Sequence, residues 1–178
     1  MRLISEYQIL IGGDSAGGQL SLAVASALLH GFDGTEPIKL DEKLEGFLLI
    51  SPWVSYSTDS QSWKENANMD VVSVATVDTL GPAYADDKDR NEYSEPHRAD
   101  SRWWGNIPAR SILNIWGGAE CFRDDIRDVG QKLDDAGNSV VNVECAKQVH
   151  IDCVLDAQSE MEPGEMSREI LGWLGSLW

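Results

Sequence analysis

The chain has 178 residues, enough for about one domain with a sizeable core. Asp and Glu number 30 against 14 Lys and Arg, a formal net charge of −16; so acidic a chain repels phosphate backbones, which excludes nucleic-acid binding through a basic groove. No apolar run approaches the ~18–20 residues that span a bilayer, and Met1 to Leu10 lacks the sustained apolar stretch of a secretory signal.

In chain order, residues 7–12 read as a short buried strand. Ser15 to His30 reads as a helix whose apolar residues Leu20, Ala23, Val24, Ala27 and Leu28 fall at i, i+3, i+4, i+7 and i+8, with Gly31 placed to end it. Residues 32–43 form a polar loop with Gly34 and Pro37, and Gly46 to Ile50 a second buried strand, stopped by Ser51-Pro52. Residues 53–110 are the least regular: they hold Trp53, Trp63, Trp103 and Trp104, three prolines and the charged run Asp86 to Arg90. A helix over about Val74 to Tyr84 is broken near Gly81-Pro82, and the aromatics make the segment a packed excursion and a candidate for a lid. Ile112 to Trp116 is a third strand. The stripe Phe122, Ile126, Val129, Leu133 and Ala136 marks a helix ended by Gly137. Val140 to Val143 is a fourth strand. Pro163 reads as a first-turn proline of a last helix carrying Met166, Ile170, Trp173, Leu174 and Leu177. Strands alternating with helices predict a parallel sheet covered on both faces.

Gly13-Asp14-Ser15-Ala16-Gly17 is a G-x-S-x-G between a predicted strand and a predicted helix, the setting of a nucleophile elbow. So tight a turn lifts the Ser15 hydroxyl to the C-terminal edge of the sheet and aims the Ala16 N–H at a developing oxyanion. An inert glycine-rich turn or a phosphate-binding turn is the competing reading; the latter lacks a Walker lysine and a G-x-G-x-x-G. Serine needs a base, and the chain has three histidines. His30 ends a helix, where its contact with the dipole is explanation enough, and His97 lies in a polar loop. His150 follows the fourth strand, again at the ligand-binding edge of a parallel sheet. The imidazole needs a carboxylate. Glu120, in the loop after the third strand, completes the order serine–acid–histidine; Asp124, Asp125 and Asp152 are rivals, the first two also serving as first-turn partners of the helix dipole. Cys121 has no histidine near it in sequence. With Cys145 and Cys153 it makes an odd number of cysteines without framework spacing, so free thiols and a cytoplasmic, reducing location are expected.

Gly13-Asp14-Ser15-Ala16-Gly17-Gly18, Ser51-Pro52-Trp53, Glu120 to Asp125 and Val149-His150 together resemble the hormone-sensitive-lipase-like branch of the α/β-hydrolase fold, its fungal esterases in particular. The resemblance runs over essentially all 178 residues. It implies a carboxylic ester hydrolase with Ser15 as nucleophile, His150 as base and Glu120 as acid, a small-molecule ester as substrate and no cofactor or metal. Much of the family has Asp followed by Pro-Leu-Arg-Asp where this chain has Glu120. The family's His-Gly-Gly-Gly loop, whose N–H groups complete the oxyanion hole, has no counterpart in the sequence. The expected fold is therefore one partial domain over 1–178, the C-terminal part of an α/β-hydrolase truncated on its N-terminal side. It would hold about four mostly parallel strands with helices on both faces. The strand at 7–12 becomes an exposed edge, open to self-association. Two functions stay open: an esterase acting through an acyl-enzyme, its turnover lowered by the absent loop, and a weak or silent remnant or binding module on the same fold.

Overall fold

The computed structural model describes residues 9–177. Four strands, β1 (Leu10–Asp14), β2 (Leu44–Ile50), β3 (Ala109–Gly117) and β4 (Val140–Cys145), form one sheet in the order β1-β2-β3-β4. Every pairing is parallel. Helix α1 (Ala16–His30) joins β1 to β2, and α4 (Arg123–Asp135) joins β3 to β4. The 53–108 excursion, with α2 (Gln61–Asn66), α3 (Val74–Tyr84) and three short 3-10 turns, joins β2 to β3. After β4 come α5 (Asp152–Gln158) and α6 (Glu165–Ser176).

Each connection steps one strand in the same direction, so the right-handed crossover rule sends all three to one face. The core bears this out. Phe47, Leu49, Ile112 and Trp116 point to a cluster shared with Leu22 and Ala25 of α1, Ile126, Val129 and Leu133 of α4, and Trp63, Val77 and Trp104 of the excursion. The alternate positions Leu113 and Ile115 point the other way, to Met166, Ile170 and Trp173 of α6. Strands buried on both faces must be apolar at successive positions, as Phe47-Leu48-Leu49-Ile50 is. Trp173 closes the α6 face: its indole N–H donates to the Ser111 hydroxyl at 3.2 Å, and a side chain at Gly46 would sit 3.1 Å from its ring. Leu10, Leu48 and Ile50 pack against the same cluster and stay partly exposed.

Four expectations need correction. The first strand occupies 10–14, and the Tyr7-Gln8 part of the predicted 7–12 strand lies outside the described residues. Pro163 stands before the Gly164 cap, ahead of the first turn of α6. Helix α3 runs from Val74 to Tyr84 with Pro82 inside it, without the break expected near Gly81-Pro82. The Leu20–Ala23–Val24–Ala27 stripe of α1 is not its buried face: Gly18, Ser21, Leu22, Ala25 and Ser26 face the sheet, and Leu20 is 57% exposed. Small residues on that face let the helix lie close, with Gly18 against Pro52, where a Cβ would meet the ring at 2.8 Å. The apolar stripe instead floors a surface groove of about 480 Å³ rimmed by Phe32, Tyr84 and Tyr93. Among the described residues no helix is long and apolar enough to cross a membrane.

Candidate active site

Parallel strands end together, so the turns after β1, β2, β3 and β4 gather at one edge. Ser15 occupies the turn between β1 and α1 with φ 51° and ψ −117°. Its N–H donates to Ile50 O at 2.9 Å, and its own carbonyl accepts from Trp53 N–H at 2.9 Å and Gln19 N–H at 3.1 Å. A side chain at Gly13 would collide with the Gly17 backbone, so the elbow closes only over glycine there. The first helical hydrogen bond ends at Gln19, so the Ala16 N–H belongs to the open first turn, where backbone donors face outward.

His150 lies in the turn after β4 and is 3% exposed. Its Nε2 is 2.9 Å from Ser15 Oγ, across 135 residues of sequence. Its Nδ1 is 3.6 Å from Glu120 Oε1, ion-pair contact and longer than a hydrogen bond. Neither of those two atoms has another partner, so each is left facing the other. Glu120 is fully buried; its Oε2 accepts the Ser51 hydroxyl at 2.6 Å and the Gly117 N–H at 2.8 Å. Ser51 Oγ in turn accepts the Ile151 N–H at 3.2 Å, so one buried serine ties Glu120 to the loop that carries His150. Phe122 sets its ring edge against His150 at 5.3 Å.

Strain collects here. Ser15, Ser51 and Ile151 all hold positive φ without being glycine, at 51°, 44° and 50°. Such backbones cost of order 1–3 kcal/mol each and persist where surroundings over-determine them.

The rivals lie elsewhere. Asp124 accepts from Ser62 N–H at 2.8 Å and pairs with Arg123 and Arg127. Asp125 is buried beside Ser60; burial and the neighbouring Asp124 push its carboxyl up to about 6. Burial and then Asp156 raise the Asp152 carboxyl, which is bonded to Gln148. His30 bonds Trp103 O at 2.8 Å and stacks on that indole, and His97 pairs with Asp128 at 3.0 Å. The Cys121 thiol is pushed up to about 12, by burial first and by Asp70, and cannot serve as a thiolate nucleophile near neutral pH.

A pocket of about 50 Å³ opens beside Ser15, lined by Trp53, Val72, Thr76, Val77, Leu80 and Phe122. The excursion thus supplies the wall of the site, and of its tryptophans Trp53 is the one that reaches it while Trp63 and Trp104 are core. Sequence reasoning missed Ser51 and Asp70 as parts of this constellation. Ser51 stood in a quoted motif, Ser51-Pro52-Trp53, with no chemical role attached.

The profile of the alpha/beta hydrolase fold matches residues 3–153. A Schizosaccharomyces pombe protein named "Putative steryl acetyl hydrolase mug81" is 27% identical over 188 aligned positions, covering 94% of this chain and 48% of that protein. An esterase from the bacterial hormone-sensitive lipase family superposes with TM-score 0.69 at 27% identity, over 83% of this chain and 46% of that one. Carboxyl esterase 2 of the fungus Tuber melanosporum superposes with TM-score 0.74 at 19% identity, over 95% and 52%. The chain spans about half the length of these relatives.

Proposed function

The chain belongs to the alpha/beta hydrolase fold family, and from that premise we propose that it hydrolyses carboxylic esters through Ser15, His150 and Glu120. The 2.9 Å contact between Ser15 Oγ and His150 Nε2, with Glu120 behind the ring, carries the reading. A carboxylate facing Nδ1 favours the tautomer protonated there, which leaves Nε2 free to accept the serine proton. Ser15 Oγ attacks the ester carbonyl as His150 takes that proton. The Ala16 N–H and the first turn of α1 steady the oxyanion. His150 then protonates the departing alcohol, leaving an acyl-serine that water, activated by the same imidazole, releases.

The small apolar pocket beside Ser15 suits a short acyl chain. An acetyl ester, the class named for the fission-yeast relative, is the substrate to try first. A second proposal concerns the outer edge of β1, which no strand covers among the described residues; unpaired backbone there is a template for a second copy. Sedimentation velocity over rising concentration should show association weakened by Ile9→Lys, an exposed position beside the edge, and a monomer throughout would end that idea.

The test of activity is hydrolysis of p-nitrophenyl acetate by the chain beside Ser15→Ala, with fluorophosphonate labelling. Serine-dependent turnover and a single label on Ser15 are expected. Turnover equal to Ser15→Ala, with no label, would overturn the proposal and favour a silent hydrolase fold kept for binding.

A further inference from the structure

On the reading of Ser15, Glu120 and His150 as a triad, we propose that Asp70 is a positioning residue that holds acid and base in register. It lies in the turn after α2, 80 residues from His150 in sequence. Its two oxygens take backbone N–H groups from both catalytic loops. Oδ2 accepts from Cys121, the residue after Glu120, at 2.7 Å. Oδ1 accepts from His150 itself at 3.0 Å and from Val71 at 2.8 Å. Hydrogen bonds to a charged acceptor are among the stronger ones in proteins.

The turn that carries Asp70 is fastened to the same acid loop. The N–H groups of Met69 and Asp70 donate to Asn66 O, and the Asn66 side-chain amide donates to Glu120 O at 2.8 Å. One carboxylate therefore spans the two loops whose spacing sets the 3.6 Å between Glu120 and His150. Those facing atoms have no other partner, so no contact at their tips corrects an error in loop spacing. The correction has to be made where the two backbones meet, and Asp70 is that place. Ser51 makes a second tie, through the Glu120 side chain and Ile151. It reaches neither the Cys121 nor the His150 N–H, so it does not replace Asp70.

The experiment compares native chain, Asp70→Ala and Asp70→Asn, with two readouts. In ester hydrolysis Asp70→Ala should lower kcat by ~10- to 100-fold with KM unchanged, the scale of a small misplacement of a reacting group. Asp70→Asn keeps one oxygen for His150 and Val71 and turns its amide on the Cys121 N–H, so it should recover part of the loss. The second readout needs no turnover: the His150 tautomer ratio from ring nitrogen chemical shifts. It should favour Nδ1–H in the native chain, fall towards a mixture in Asp70→Ala and lie between in Asp70→Asn. If the native chain does not hydrolyse esters, the esterase reading fails while the tautomer ratio still judges Asp70. A native ratio without that preference, or one unchanged in the variants, overturns the proposal. Should Asp70→Ala not fold, Asp70→Asn decides alone, native values overturning the proposal and a shifted ratio supporting it.

Discussion

Replacing Glu120 by Gln separates a carboxylate that orients the base from one that merely fills space. In the native chain Oε2 accepts two donors, Ser51 O–H and Gly117 N–H. An amide nitrogen accepts neither, so the Gln carbonyl oxygen must take that position and the NH2 must take the place of Oε1, 3.6 Å from His150 Nδ1. There it donates, and selects the imidazole tautomer protonated on Nε2. That ring cannot accept the Ser15 proton across its 2.9 Å contact. In a serine protease the equivalent carboxylate-to-amide change costs about 10⁴ in kcat, which is about 5–6 kcal/mol of transition-state stabilisation. The same fall is expected here. Because Gln matches Glu in shape and keeps the carbonyl in the Ser51–Gly117 cradle, thermal unfolding should change far less than turnover. The assay is kcat/KM on p-nitrophenyl acetate with Ser15→Ala as the floor and Asp124→Asn as the control expected to match native. Glu120→Gln within about tenfold of native, or Asp124→Asn falling in its stead, would refute the assignment of the acid.

Ser51→Ala should lower unfolding free energy by about 2–3 kcal/mol in urea titration, because it strands the part-buried Ile151 N–H and strips one donor from fully buried Glu120; a loss below about 0.5 kcal/mol would mean that water replaces the hydroxyl. The Asp125 carboxyl, raised to about 6 in the fold from an ordinary 3.8, favours the folded state while protonated. That contribution is complete below about pH 4 and lost as pH rises through about 6, up to about 3 kcal/mol. Asp125→Asn should therefore gain on native stability across that window, and parallel curves would contradict the shift. Alkylation of the native chain should reach half-buried Cys153 first and leave Cys121 and Cys145, both fully buried with thiols pushed up to about 12, until unfolding; early modification of Cys121 would show an open acid loop.

The elbow turn and all four strands were legible because each rests on a local pattern: glycines that a tight turn requires, or apolar runs with stops. Glu120 and His150 drew attention by their place just after the third and fourth strands. Strong amphipathicity also made α4 legible, since Ile126, Val129 and Leu133 are the apolar side chains it buries. The orientation of α1 was not legible. That helix is apolar nearly all round, so periodicity offers several faces, and the sheet takes the one with the smallest side chains. Asp70 and Ser51 were invisible for a different reason. What they do depends on which backbone N–H groups the fold leaves beside them, and no local pattern encodes that.

Ser15, Glu120 and His150 hang from the first, third and fourth strands, so β1 and β4 must both be docked before Ser15 meets His150. The elbow around Ser15 is assembled from β1, α1 and the neighbouring β2–Trp53 segment and does not need β4. Loosening the far edge, where β4 holds β3 through Val140 to Cys145, would thus disarm Ser15 without disturbing its immediate surroundings. Covalent labelling of that one hydroxyl is then a gauge of cohesion across the full width of the sheet. A destabilising change at Val143 would register at Ser15 long before circular dichroism recorded any loss of helix.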